Sequence, residues 1–149
     1  MTLKEEVYKK YCQLLDDKIG HLELVLQDLH KSAANETKST AGDKHETALA
    51  MLQLEQENKR KQLAELLQQR VVLNRIDPSV VNKLISNGAL VETDSGYFFI
   101  SVALGKTTIG ARTIFALSLS SPLGQKLAMH SGRNPVEMNG RIYSILSVV

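Results

Sequence analysis

Residues 8–29, YKKYCQLLDDKIGHLELVLQDL, decide the fold. Within them Tyr8, Cys12, Leu15, Ile19, Leu22, Leu26 and Leu29 recur at spacings of four and three. That is the heptad seam of a helix that needs a partner helix along its length. Leu14, Leu24 and Val25 widen the apolar face. Upstream, Thr2 followed by Glu5 reads as a capping box that starts the helix. Beyond His30 the pattern stops, and Lys31 to Lys44 is small and polar. Apolar positions resume at Ala48, Met51 and Leu52, fade from Glu55 to Lys61, and strengthen at Leu63, Leu66, Leu67 and Val71. The pattern predicts an antiparallel helical hairpin, its two strongly apolar ends paired at the base and its polar tip near Ala41–Gly42. Each arm of roughly 30 residues spans about 45 Å at 1.5 Å per residue. One long helix in a parallel homodimer is the competing arrangement, and Gly42 with its polar surroundings argues against it.

Composition divides at the end of this pattern. Of the 149 residues, the first 76 carry 24 charges, 12 of each sign, with no proline and two glycines. Residues 77–149 carry 10 charges, all three prolines and seven of the nine glycines. Balanced charge with few breakers suits long exposed helices; turn residues amid Val, Ile, Phe and Tyr suit short strands. The expected domains are therefore 1–76, a coiled-coil hairpin, and 77–149, a small β-rich module, an α+β chain.

In the second part, Asp77 as N-cap, Pro78 at the first helical position and Gly88 after the end predict a helix. Strands follow at Leu90–Thr93, Tyr97–Leu104 and Thr113–Leu119, with Thr93 to Gly96 as a turn. Ser121-Pro122 starts a short helix ending before Gly132. Asn139-Gly140, between Pro135–Met138 and Arg141–Val148, is a hairpin signal, because a type I′ turn demands positive φ at both central residues. The expectation is a small twisted sheet with helical inserts and no parallel α/β unit.

The net charge of +2 is not the strongly basic surface of a chain that grips nucleic acid unaided. One cysteine, Cys12, excludes an internal disulfide framework and a Cys-based zinc cluster. The opening MTLKEEVYKK has charges where a signal peptide needs its apolar segment. The longest uncharged run, Thr113 to Gln125, is short of the roughly 20 apolar residues of a membrane span. These features predict a cytoplasmic chain with no membrane partner.

Two chemical motifs fail. Gly105-Lys106-Thr107 resembles the end of a phosphate-binding loop, but Ile100 stands where that loop needs glycine, so the segment reads as a loop between strands. His21, His30, His45 and His130 show no paired ligand spacing. Cys12 reads as a packing residue, and Lys59, Arg60 and Lys61 as a solvated helix face or, alternatively, a contact for RNA.

The stretch Ala41-Gly42-Asp43-Lys44-His45-Glu46-Thr47-Ala48 at the predicted tip survives. Asp43 and Glu46, three apart at a helix start, share one face. On spacing the pair reads first as a capping box; that does not exclude two carboxylates that a helix N-terminus keeps ionised. Two ligands are too few for a Mg²⁺ site of the chain's own, since that ion takes octahedral oxygen coordination. Any catalysis there completes a site belonging to another molecule.

With this tip, the chain resembles the bacterial Gre factors. The motif Gly42-Asp43-Lys44-His45-Glu46-Thr47-Ala48 is similar to that family's Gly-Asp-x-x-Glu-Asn-Ala. Ser120-Ser121-Pro122-Leu123-Gly124 followed by Lys126-Leu127 is similar to its Ser-Pro segment, and Asn139-Gly140-Arg141-Ile142-Tyr143-Ser144-Ile145 to its last hairpin. The matches occur in the family's order. The resemblance implies an FKBP-like second domain that docks on the rim of the secondary channel of bacterial RNA polymerase, with Ser121, Pro122, Leu123 and Gly124 as docking residues. It implies that the hairpin enters the channel, that Asp43 and Glu46 help hold a Mg²⁺ shared with the polymerase, and that the polymerase then cleaves backtracked nascent RNA at its 3′ end. The chain is not expected to catalyse alone, to carry a cofactor of its own, or to bind DNA autonomously. Thr47 in place of Asn, Leu49-Ala50 in place of an acidic and an aromatic residue, and the flanking Lys44 and His45 depart from the family. They keep open a channel binder that inhibits without cleaving. A prolyl isomerase on the aromatic residues Tyr97, Phe98, Phe99, Phe115 and Tyr143, and a chaperone-like holdase, are readings from other classes.

Overall fold

The computed structural model describes residues 1–37, 43–128, 130 and 135–149. Two long helices, α1 (Leu3–Thr37) and α2 (Asp43–Asn74), precede a β-rich part. Its strands are β1 (Leu90–Thr93), β2 (Gly96–Ile100), β3 (Gly105–Ile109), β4 (Arg112–Leu117), β5 (Val136–Met138), β6 (Arg141–Tyr143) and β7 (Ile145–Val148), with α3 (Pro122–Ala128) between β4 and β5. The architecture is α+β, a helical hairpin followed by a mixed sheet. The chain divides into two compact units, Leu14–Arg70 and Met1–Gln13 with Val71–Val149, so the division cuts through both helices. No helix among the described residues is long and apolar enough to cross a membrane.

Helix α1 opens as its sequence predicts. The Glu5 amide donates to Thr2 Oγ1 (3.2 Å) and the Thr2 amide to Glu5 Oε2 (3.1 Å), the reciprocal bonds of a capping box. In the Leu14–Arg70 unit the helices run antiparallel, since Asp16 pairs with Arg70 while Gln27 shares a groove with Arg60. Leu15 and Leu22 are buried, and Ile19, Leu26 and Leu29 half-buried. The seam on α2 differs from the expected one. Met51, Leu67 and Val71 are exposed, as is Leu24 on α1. The inward positions are Leu52, Gln56, Lys59, Leu63 and Leu66, an unbroken four-three pattern. Gln56, 7 % exposed, sits within the stretch that reads as a fading pattern. Polarity hid the seam from an apolar count.

In the other unit, the five-stranded sheet has the order β3-β4-β2-β1-β7, and β5-β6 form a separate ribbon. Neighbours pair antiparallel except β2 and β4, which run parallel with Phe98 opposite Phe115. This pair is not a parallel α/β unit, because a strand and not a helix intervenes in sequence: β3 pairs with the outer side of β4. Gly105-Lys106-Thr107 opens β3 and is a strand, not a loop. The expected strand 97–104 stops at Ile100, where the chain bends towards Gly105. Side chains alternate between two apolar layers. Val91, Phe98 and Ile100 join Leu127, Val136 and Ile145 on one face. On the other, Phe99 stacks with Tyr11 of α1 at 6.0 Å between ring centres, and Val7 and Tyr11 are fully buried. The first turns of α1 thus carry a second apolar stripe beside the hairpin seam.

The helix expected from Asp77 to Gly88 does not form; the segment is a series of turns. Asp77 caps a turn instead: its Oδ1 accepts from the Ser79 amide (3.0 Å) and hydroxyl (2.6 Å). Those bonds hold its carboxyl below the usual range. Lys4 Nζ donates to the Val80 carbonyl (2.7 Å) and to Asn82 Oδ1 (2.6 Å), occupying an acceptor that a helix would use. Gly88, at φ +93°, donates its amide to Ile100 O (2.7 Å) and so leads into the sheet rather than ending a helix. The two-residue hairpin reads correctly: Met138 pairs with Arg141, and Asn139 and Gly140 have φ of 52° and 77°, the positive pair of a type I′ turn.

Candidate functional site

The acidic motif lies at the start of α2. Asp43 is its first residue and Glu46 an exposed side chain on its first turn. Gly42 lies outside the described residues, as do the side chains of Asp43, Lys44 and His45. An opening helical turn presents amides without helical partners and the positive end of the dipole, a setting that favours acidic side chains. In the same unit the Asp16–Arg70 pair marks the opposite end of the hairpin from Glu46. Helix α2, 32 residues, is about 48 Å long at 1.5 Å per residue.

The three adjacent cations on α2 divide their partners. Lys59 faces Glu55 and Lys61 faces Glu57, both at 3.9 Å and one helical turn away. Arg60 lines a shallow groove with Leu26, His30 and Lys31 of α1. Among the described residues, no three His, Cys, Asp or Glu side chains gather as a metal set. Cys12 is half-buried in α1.

The second candidate is built around Ser121. Its Oγ accepts from the Gly124 amide (3.0 Å) and donates to Ser118 O (2.7 Å), so Ser121 caps α3 while Pro122 takes the first helical position. Gly124 is required by close approach: a Cβ there would meet Ser118 O at 2.0 Å. Of the four residues expected to dock, Ser121 and Gly124 therefore serve the local fold. Leu123 is half-buried against the core, and Pro122 is exposed.

Sequence reading missed the company these residues keep. Pro122 and Leu123 line one groove, of about 460 Å³, with Met138, Asn139, Arg141 and Tyr143. The Ser-Pro segment and the last hairpin, read as separate motifs, meet here. Tyr143 packs edge-on to Phe98 at 5.4 Å and carries the Arg141 guanidinium over its ring at 5.7 Å. Lys126 Nζ donates to Glu137 O (2.8 Å), tying α3 to β5. The groove's lining combines apolar side chains with one cation, Arg141, a surface suited to a helix or loop bearing apolar and acidic side chains. The signal was present in the sequence as two turn motifs, without any spacing that joins them.

No family model matches the chain, and neither a curated protein nor a solved structure matches it.

Proposed function

We propose that this chain is a Gre-like factor that enters the secondary channel of bacterial RNA polymerase and stimulates cleavage of backtracked nascent RNA. The observation that carries the reading is the motif Gly42-Asp43-x-x-Glu46-x-Ala48 at the start of the second of two long antiparallel helices, with Glu46 exposed on the opening turn. The groove joining Pro122 and Leu123 to Arg141 and Tyr143 adds support, because it unites the other two motifs of the resemblance in one docking surface. On this reading the β-rich part is FKBP-like and the chain works in the cytoplasm, where its polymerase is.

The chain's own contribution is placement of charge. Asp43 and Glu46 bring two carboxylates into the polymerase active site. They would supply two of the oxygens that Mg²⁺ takes, with the remaining ligands coming from the polymerase and water. Mg²⁺ bound in that way supplies activation of a water and stabilisation of the leaving oxygen. Polar Gln56 and Lys59 in the seam, with charged side chains outside it, suit a hairpin that must slide through a wet channel.

A second reading is a channel binder that inhibits without cleaving, favoured by Lys44 and His45 beside the acids and by Leu49 and Ala50 behind them. The two are separated by adding wild-type protein to a backtracked complex of the cognate polymerase, alone and together with an active Gre factor. Release of short 3′ RNA fragments by the chain alone supports cleavage. Suppression of the other factor's cleavage supports the inhibitor. Neither effect, with no polymerase binding, overturns both.

A further inference from the structure

Beside the turns that follow Asp77 lies a cavity of about 330 Å³ that neither the acidic motif nor the Pro122–Tyr143 groove touches. Leu3, Val80, Val81, Leu90 and Val149 form the apolar part of its lining, and Thr2, Ser79, Glu92 and Ser147 a polar part. Lys4 lines it too and is only 4 % exposed. The Lys4 ammonium donates to Val80 O and Asn82 Oδ1, which uses two of its three hydrogens. Among the described residues it has no carboxylate partner within ion-pair distance. Its nearest acidic influence is Asp77, fully exposed and already engaged with Ser79. A buried cation without an ion pair is uncommon, because the charge is costly to desolvate. The other charged lining residue, Glu92, is less buried, and its carboxylate accepts from the Ser147 hydroxyl at 3.0 Å.

An apolar cavity of this size with one convergent charged donor is the usual form of a small-molecule site. We infer that the cavity binds a small amphipathic carboxylate, its aliphatic body against Val80, Val81 and Val149 and its acid group taking the spare Lys4 donor. Val80 and Val81, exposed residues of the lining, are then covered by the ligand's chain. This site is independent of the tip and of the Pro122–Tyr143 groove, so it stands or falls apart from the polymerase reading.

The test is an amide chemical-shift titration of the full chain with octanoate, and separately with octylamine. The expected result is saturable binding of octanoate, with the largest shifts at Leu3, Val81, Tyr97 and Val149, and weaker binding of octylamine by at least tenfold. Lys4→Gln, which keeps a hydrogen-bond donor but no charge, is expected to weaken octanoate by at least tenfold. Should that variant not fold, Val81→Glu leaves the Lys4 bonds in place and is expected to weaken octanoate through like-charge repulsion. Equal or tighter binding of octylamine, shifts centred elsewhere, or no saturation in the millimolar range overturns the inference.

Discussion

The Tyr11 hydroxyl lies 2.7 Å from the carbonyl oxygen of Gly105, 94 residues away, and shares its proton with Ile114 O at 3.1 Å. The first turns of α1 are thereby bonded to the sheet where β3 meets β4. Tyr11→Phe keeps the ring stacked on Phe99 but leaves buried carbonyls short of a donor. The expected cost is about 1–3 kcal/mol, measured by urea unfolding.

The same residue sets a pH response. Burial pushes the Tyr11 hydroxyl up to about 12, against a smaller lowering from the backbone of Ala116. Folding thus favours the protonated form. Its contribution is complete below the unfolded value near 10 and is lost as pH rises towards 12. Lys4 acts in the opposite sense: burial lowers its ammonium, so its contribution grows as pH rises towards 10.5 and is complete above it. Between pH 10.5 and 12 the wild-type Tm is expected to fall more steeply than that of Tyr11→Phe.

Gly124→Ala forces a Cβ against Ser118 O and the Ser121 hydroxyl. Backbone must shift to admit it, and the expected loss is about 1–3 kcal/mol. Ser121→Ala removes the cap and the hydroxyl's bond to Ser118 O without a clash, at about 1 kcal/mol. Thermal unfolding of both variants should rank them in that order.

In the hairpin, Arg70 Nε approaches Asp16 Oδ1 at 2.9 Å, but half of the Asp16 side chain is open to solvent. A double-mutant cycle is expected to give a coupling below about 1 kcal/mol that shrinks with added salt. Gln56→Leu, in contrast, replaces a buried amide within the seam. It is expected to raise Tm, with helical circular dichroism unchanged.

The groove carries its own prediction. Arg141→Glu reverses the charge of the groove's cation while leaving the Asn139-Gly140 turn intact. Under the polymerase reading it is expected to weaken polymerase binding at least tenfold without lowering Tm appreciably. Unchanged affinity would remove this surface from the docking account.

The features legible in the sequence were those written in local pattern: the Thr2–Glu5 cap, the α1 seam, the Thr93–Gly96 and Asn139-Gly140 turns, and strand β1. Long-range choices were not. Asp77-Pro78 carries every sign of a helix start, yet Lys4, more than seventy residues earlier, binds the Val80 carbonyl and stabilises turns instead. Val7 and Tyr11 share the four-residue spacing of a helix face, but nothing local says that this face meets a sheet. Gln56 shows the converse, a polar residue holding an inward position that apolar counting skips. At the candidate sites the acidic motif was readable as a motif. The meeting of Pro122 and Leu123 with Arg141 and Tyr143 required the fold.

The most direct measurement is RNA cleavage in a stalled, backtracked complex of the cognate polymerase, comparing wild type with Asp43→Asn plus Glu46→Gln. Asn still caps a helix, so the pair removes charge with little structural damage. The account predicts fragment release with wild type and at least a hundredfold slower release with the variant at equal polymerase occupancy. Equal cleavage by both proteins, or none by wild type despite demonstrated binding, would contradict it.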